Sequence, residues 1–405
     1  MAENDIKFVQ ENASGGFEEK TLPTDAAAFK IAIGQDQVDN IADADKPVST
    51  AQQAAIQLQT RNAGWQFQHT LSSADWRKAA KFTYTITTAP TFTVNVTGGA
   101  THVKMLRWDG TWSAVKAVSG NTSVSAADWG TAPASPYNTR IPKFGAIVPC
   151  DSGGTVTGDL SYLNVVSQNL TTLDVSGLTA LTFLNCDNNN LTTLDVSGLT
   201  ALIDLSCDNN NLTTLDVSGL TALIDLSCDN NNLTNLDVSG LTALAFLDCN
   251  NNPNCKGILD LRDFGLFNAT GSCYANNCAF DTLYLPARQI SGTYATVTVQ
   301  NNNISQVVGD GFEGFGSFTT SSYYALGLNN CQMTTDAVQA MLQSFGNSLT
   351  SDFINLQGNP CDKNDGATTP EAMTDGDTYT ESDVQTLLDA KGYSLILSDA
   401  TLAPA

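Results

Sequence analysis

The chain has 405 residues and a formal charge of −23, and that charge is unevenly placed. Residues 1–150 carry 13 basic and 13 acidic side chains, whereas residues 151–405 carry 5 and 28. So acidic a surface argues against nucleic acid as a partner, and no run approaches the roughly eighteen apolar residues of a membrane-spanning helix. The start, Met1-Ala-Glu-Asn-Asp-Ile-Lys, lacks the basic-then-apolar profile of a secretory signal, so export by the ordinary secretory route is not expected.

Residues 1–61 show no pattern able to form a core of their own. Ser49 reads as a helix cap and Ala51 to Leu58 as the helix. So short and Ala/Gln-rich a helix is marginal alone, which points to an attachment or oligomerisation segment. Residues 62–148 read as a small antiparallel, sandwich-like β domain. Phe82 to Thr87 and Phe92 to Val96 alternate as half-buried strands, and Asp109-Gly110 predicts a hairpin turn between the aromatic residues Trp108 and Trp112. The two tryptophans are expected in a core or interface rather than in a ligand platform.

Residues 149–405 are dominated by repetition. Leu181-Thr-Phe-Leu184-Asn-Cys186-Asp-Asn-Asn189-Asn-Leu191 recurs at Leu202 and Leu223 with a period of 21, and a fourth copy begins at Leu244. Leu184 and Cys186 and their equivalents are expected to point inward from a short parallel strand. No single copy can bury that face, so copies must stack. Asn189, Asn210, Asn231 and Asn252 follow each strand and predict a ladder of side chains bonded to backbone groups of adjacent coils. Cys186, Cys207, Cys228 and Cys249 predict a column of small buried hydrophobes rather than a metal site. Weaker copies at Leu163-Asn-Val165 (with Asn169), Cys273, Val297, Leu326 and Ile354, and a last strand over 393–397, bring the total to about ten rungs. The later, longer coils place their extra residues on the outer side, with helices over 335–344 and from Thr380 or Ser382 to Lys391. The expected architecture is thus mixed: an attachment segment, a small β domain, and a solenoid of parallel rungs with some convex-side helices.

The residues flanking the inward ones are expected on the concave face. They are Phe183, Asn185 and Asp187; Asp204, Ser206 and Asp208; Asp225, Ser227 and Asp229; and Phe246, Asp248 and Asn250. Carboxylates stacked about 4.8 Å apart repel by roughly 1 kcal/mol even in water, so this acidic column is a candidate ligand-binding face that would attract cations or hydrogen-bond donors. Catalysis is not expected. The two histidines, His69 and His102, lie near no nucleophile or acid motif, and no phosphate loop or serine elbow occurs. No cofactor or metal is expected beyond weak calcium attraction to the acidic face.

Three regions resemble known families. Leu191-Thr-Thr-Leu-Asp-Val-Ser-Gly-Leu-Thr-Ala-Leu202 resembles the 21-residue repeats of bacterial surface leucine-rich proteins and of phages that have acquired them. The C-terminal stretches beginning Asp336-Ala-Val-Gln, Ile354-Asn-Leu-Gln and Leu388-Asp-Ala-Lys resemble units of phage tail proteins, and Ile6-Lys-Phe-Val-Gln with Asp45-Lys-Pro-Val-Ser is similar to the start of phage fibre proteins. The resemblance implies a virion protein, attached through residues 1–61 to other virion proteins. It would display a leucine-rich-repeat domain on the exterior of the particle for host-surface adhesion, toward a glycan or protein receptor, as a homotrimer. A capsid-attached decoration or head fibre, and a bacterial surface adhesin whose export signal is missing, are the alternatives.

Overall fold

The computed structural model describes residues 7–11, 17–21, 77–84, 91–106, 113–125, 128, 143–264, 272–286, 296–309, 311–312, 326–346, 353–362, 381–397 and 401–402. The helix expected over 51–58, and Trp108 and Trp112 with their turn, lie outside these residues. Each 21-residue coil turns seven apolar side chains inward. In one coil these are Leu181, Leu184, Cys186, Leu191, Leu194, Val196 and Leu199, all buried, and the same set recurs 21 and 42 residues on. Because each coil covers its neighbour's apolar face, the interior is one continuous core running the length of the repeats.

Ten strands stack in parallel, from Asp159–Asn164 through Phe183–Asn185, Asp204–Ser206, Asp225–Ser227, Phe246–Asp248, Ser272–Tyr274, Thr296–Thr298, Leu326–Gly327 and Phe353–Asn355 to Ser394–Ile396. Their register puts Leu163, Leu184, Leu205, Leu226, Leu247, Cys273, Val297, Leu326, Ile354 and Leu395 in one buried column. This is a leucine-rich-repeat solenoid.

Three polar devices close the coils of the regular repeats, and the first two recur in the longer ones. The first is the buried asparagine ladder. Asn210 Nδ2 donates to the Cys186 carbonyl of the preceding coil (3.0 Å) and the Cys207 carbonyl of its own (3.1 Å), while its Oδ1 accepts Leu191 N–H (3.0 Å). Asn189, Asn231 and Asn252 repeat this set, and Asn302 and Asn359 continue it. Between them Cys278 and Cys331 occupy the ladder position, with Sγ directed at the carbonyls of Cys249 (3.3 Å) and Val299 (3.2 Å) as the amide would be. The first coil departs from expectation. Its ladder position is Gln168, whereas Asn169 is exposed in a left-handed turn.

The second device is a row of exposed asparagines at positive φ, Asn188, Asn209, Asn230, Asn251, Asn277, Asn301 and Asn330. Asparagine tolerates this region better than other side chains. From Asn230 onward each amide bonds the next coil's, at 2.7 to 3.1 Å. The third is the Asp-Val-Ser-Gly turn, where Asp195, Asp216 and Asp237 accept the N–H of Ser197, Ser218 and Ser239 at 2.9 Å. Gly198, Gly219 and Gly240 follow at φ +76 to +80° with open space where a Cβ would go, so conformation alone requires glycine there.

The N-terminal β region caps the solenoid. Phe92–Thr97 pairs antiparallel with Asp159–Asn164 and so extends the main sheet beyond its first parallel rung, followed by Thr122–Val124. Ala80–Tyr84 pairs with Leu170–Asp174 of the first coil and with Lys143–Cys150, beyond which lie His102–Leu106 and Lys116–Ala117. Phe82 and Phe92 meet edge-on between the two sheets, 4.7 Å between ring centres. The segments expected as 62–148 and 149–405 are therefore joined by two shared sheets and one core.

The longer coils also carry a second row of parallel strands, Lys256–Asp260, Ala279–Tyr284 and Gln306–Val308, where only helices were expected. Helix α1 (Thr335–Ser344) is capped by Thr334, whose side chain accepts Ala337 N–H, and it buries Val338, Met341 and Leu342. Helix α2 (Glu381–Lys391) packs on α1 and ends at Gly392 at φ +78°. At the N-terminus Lys7–Glu11 and Phe17–Thr21 form an antiparallel pair.

Candidate functional site

Each short strand of the regular repeats shows one inward residue between two half-buried ones. Alternation thus sends the flanking side chains to the face opposite the leucine core. All twelve residues expected on that face lie on it, and all are half-buried rather than freely solvated. Pairing sorts them into columns. Phe183, Asp204, Asp225 and Phe246 are in register, preceded by Tyr162 and followed by Ser272; Asn185, Ser206, Ser227 and Asp248 are in register, followed by Tyr274.

A third column, Asp187, Asp208, Asp229 and Asn250, follows the strands and has a structural duty that the sequence reading missed. Asp187 Oδ1 accepts the N–H of Asp208 (2.9 Å), Asp208 Oδ1 that of Asp229 (3.2 Å), and Asn250 Oδ1 that of Asn276 (2.7 Å). Asn276 then does the same for Gln300 at 2.8 Å.

Aromatic rings bracket the acidic centre. Tyr162 stacks on Phe183 with ring centres 4.1 Å apart and planes 5° apart, and Phe246 meets Tyr274 at 5.9 Å. Neither tyrosine was singled out from the sequence, because each sits in a coil whose pattern is degraded. Ile203 and Ile224, beside Asp204 and Asp225, are among the most exposed large apolar side chains of the described residues.

The electrostatics follow from burial without compensation. No Lys, Arg or His occurs between Lys143 and Lys256. Burial, then the charges of Asp225 and Asp187, push Asp204 up to about 6. Burial also raises Asp187, Asp225 and Asp248. Asp208 is raised furthest, by burial first and then by the neighbouring carboxyls of Asp229 and Asp187. The face is therefore an array of carboxyls, several of them held above the ordinary carboxylate range for want of a counter-charge. Among the described residues no three His, Cys, Asp or Glu side chains converge as a metal's ligands would. Cys186, Cys207, Cys228 and Cys249 are fully buried free thiols in one column.

No family model and no curated protein matches the chain. Among solved structures, the functional domain of InlJ from Listeria monocytogenes, described as including a cysteine ladder, is similar at 23% identity with a TM-score of 0.27. The match covers 52% of this chain and 49% of that one, so the chain spans about half the length of this neighbour.

Proposed function

We propose that the chain is a non-enzymatic recognition module of a phage fibre. In this reading residues 1–61 attach it to other virion proteins, as a homotrimer, and the solenoid faces the host outside the particle. The carrying observation is the array of Asp187, Asp204, Asp208, Asp225, Asp229 and Asp248 on one sheet face, without a basic residue in a span of more than a hundred. A ligand with positive charge beside a flat or apolar group fits it. The charge meets the carboxyls, and the planar or aliphatic part lies on the Tyr162–Phe183 and Phe246–Tyr274 rings or on Ile203 and Ile224. A basic patch on a host-surface protein has this chemistry.

The test is binding of the full chain to an immobilised Lys/Arg-rich peptide and to a neutral glycan panel. Asp204→Asn with Asp225→Asn is expected to weaken peptide binding at least tenfold, and raising salt from 0.05 to about 0.5 M, which shortens the screening length several-fold, is expected to do the same. Peptide binding indifferent to both changes, or binding confined to neutral glycans, would remove the cationic-ligand reading. The virion assignment is tested separately by immunogold microscopy of phage particles with antibody to residues 151–405; gold only on intact cells would overturn it.

A further inference from the structure

The cap and the first coils also meet on the outer segments of the solenoid, away from the acidic sheet face. There Ala80–Tyr84 of the cap pairs with Leu170–Asp174 of the first coil, and Asp174 bridges in parallel to Asp195 of the second. Along these two coils lies a groove of about 330 Å³, within the roughly 300–1,000 Å³ of small-molecule sites. Leu173 and Leu194 form its floor. Their edges show through at 5% and 6% exposure, whereas the leucines of the sheet column are fully buried. Asp174, Ser176, Thr193, Asp195 and Thr214 stand around that floor, all exposed.

Half of this rim is already paired inside the protein. Asp174 Oδ2 takes the ammonium of the cap's Lys81 at 2.7 Å, and that lysine is itself only 12% exposed. Asp174 Oδ1 accepts the N–H and the hydroxyl of Ser176 at 2.9 and 2.6 Å. The other half is open. Asp195 Oδ1 accepts the Ser197 N–H at 2.9 Å, but among the described residues nothing hydrogen-bonds its Oδ2 or the hydroxyls of Thr193 and Thr214. These two threonines hold the same repeat position one coil apart. The groove thus offers one carboxylate oxygen, which only accepts, and two hydroxyls, which donate and accept, over an apolar floor. A cation would find one uncompensated carboxylate here against six on the sheet face. A ring with C–H groups on its face and hydroxyls on its edge meets every part of it.

We propose that this groove is a second recognition site, for a neutral sugar unit of a glycan. The apolar face of the sugar lies on Leu173 and Leu194. Its hydroxyls donate to Asp195 Oδ2 and exchange hydrogen bonds with Thr193 and Thr214. The site shares no residue with the acidic sheet face, so the two act independently.

The full chain is screened on an array of neutral glycans, and the strongest binder is titrated by calorimetry against the parent chain and three variants. Asp195→Asn keeps an oxygen for the Ser197 N–H, and Thr193→Val with Thr214→Val keeps the side-chain shape, so both preserve the fold, checked by circular dichroism. Each is expected to weaken glycan binding at least tenfold, and the parent's glycan affinity should hold between 0.05 and about 0.5 M salt, because no charge pair is made. Asp204→Asn with Asp225→Asn should leave glycan binding unchanged, and the groove variants should leave binding of the Lys/Arg-rich peptide unchanged. An array with no bound glycan, or titrations unmoved by the groove variants, would overturn the proposal. Glycan binding lost in Asp204→Asn with Asp225→Asn would place the sugar on the sheet face and overturn it as well, while the peptide titrations report on the cationic-ligand reading separately.

Discussion

The asparagine ladder makes a prediction that depends on which groups are shared. Asn231 donates to the carbonyls of Cys207 (3.0 Å) and Cys228 (3.1 Å) and accepts Leu212 N–H (3.0 Å). The Cys207 carbonyl also accepts from Asn210, and that of Cys228 from Asn252. Asn231→Ala therefore strands one group outright, the buried Leu212 N–H, and leaves three carbonyls, those of Cys207, Cys228 and Asp229, with one partner each. Stranding a buried amide costs about 1–3 kcal/mol, and with the weakened carbonyls and the small void the loss should be about 2–4 kcal/mol. Adding Asn210→Ala removes the second partner of Cys207, so the double variant should lose about 1–3 kcal/mol more than the sum of the singles. Asn189 shares no carbonyl with Asn231, and Asn189→Ala with Asn231→Ala should be additive within about 0.5 kcal/mol. Urea titrations followed by far-ultraviolet circular dichroism, run as two double-mutant cycles, measure both quantities. Equal coupling in the two cycles, or none in either, would refute the shared-carbonyl account.

The remaining predictions are shorter. Asn231→Cys should cost about 1–2 kcal/mol, less than alanine, because the thiol keeps a weak donor toward the preceding coil as Cys278 and Cys331 do; a loss equal to alanine's would count against that mimicry. The raised carboxyls make the folded chain hold more protons than the unfolded chain above about pH 4, so their contribution is full below that pH. It is lost as pH rises through about 6 for Asp204 and further for Asp208. Groups held down by ion pairs, such as Asp128 with Lys116 and Asp260 with Arg262, act in the opposite sense and lose their contribution on acidification, so melting temperature should peak in mild acid. Asp208→Asn keeps an oxygen for Asp229 N–H, as Asn250 does for Asn276, and should raise the melting temperature at pH 8 and flatten its pH dependence; a drop at pH 8 would contradict this. In the cap, Phe82→Ala should cost about 3–5 kcal/mol by emptying the space against Phe92. Gly145→Ala should cost about 1–3 kcal/mol or more, because its Cβ would stand 2.5 Å from the Phe82 ring. Both changes are read by thermal melting.

What the sequence made readable is what repeats. The inward column from Leu163 to Ile354 follows from a period-two pattern at regular intervals, and α1 follows from apolar residues at helical spacing over 335–344. What it concealed depends on chemistry or on distance along the chain. Cys278 and Cys331 were invisible as ladder members because the motif is written as asparagine, whereas the coil requires only a donor aimed at the preceding carbonyl. The pairing of Phe92–Thr97 with Asp159–Asn164 joins segments some 65 residues apart that share no motif. The second strand row was missed because the added residues of longer coils were given to helices alone. On the sheet face, alternation predicted which side chains emerge, but not that Asp187 and Asp208 also hold the next coil's amide.

That double duty bears on why the carboxylates are there. The third column needs only an oxygen that accepts the amide of the following coil, and Asn250 and Asn276 supply it without charge. Replacing them by Asp187 and Asp208 keeps the bond and adds half-buried carboxyls whose charged form burial disfavours. In the first column no such bond is at stake. Phe183, Asp204, Asp225 and Phe246 vary while the adjacent inward residues of these four coils are all leucine. Stability accounts for the leucines, the buried asparagines and the turn glycines, and it is lowered at neutral pH by the aspartates. The acidic face is thus a regular feature of the described solenoid that packing does not require, and a counter-charge brought by a ligand would relieve the cost that the isolated fold carries.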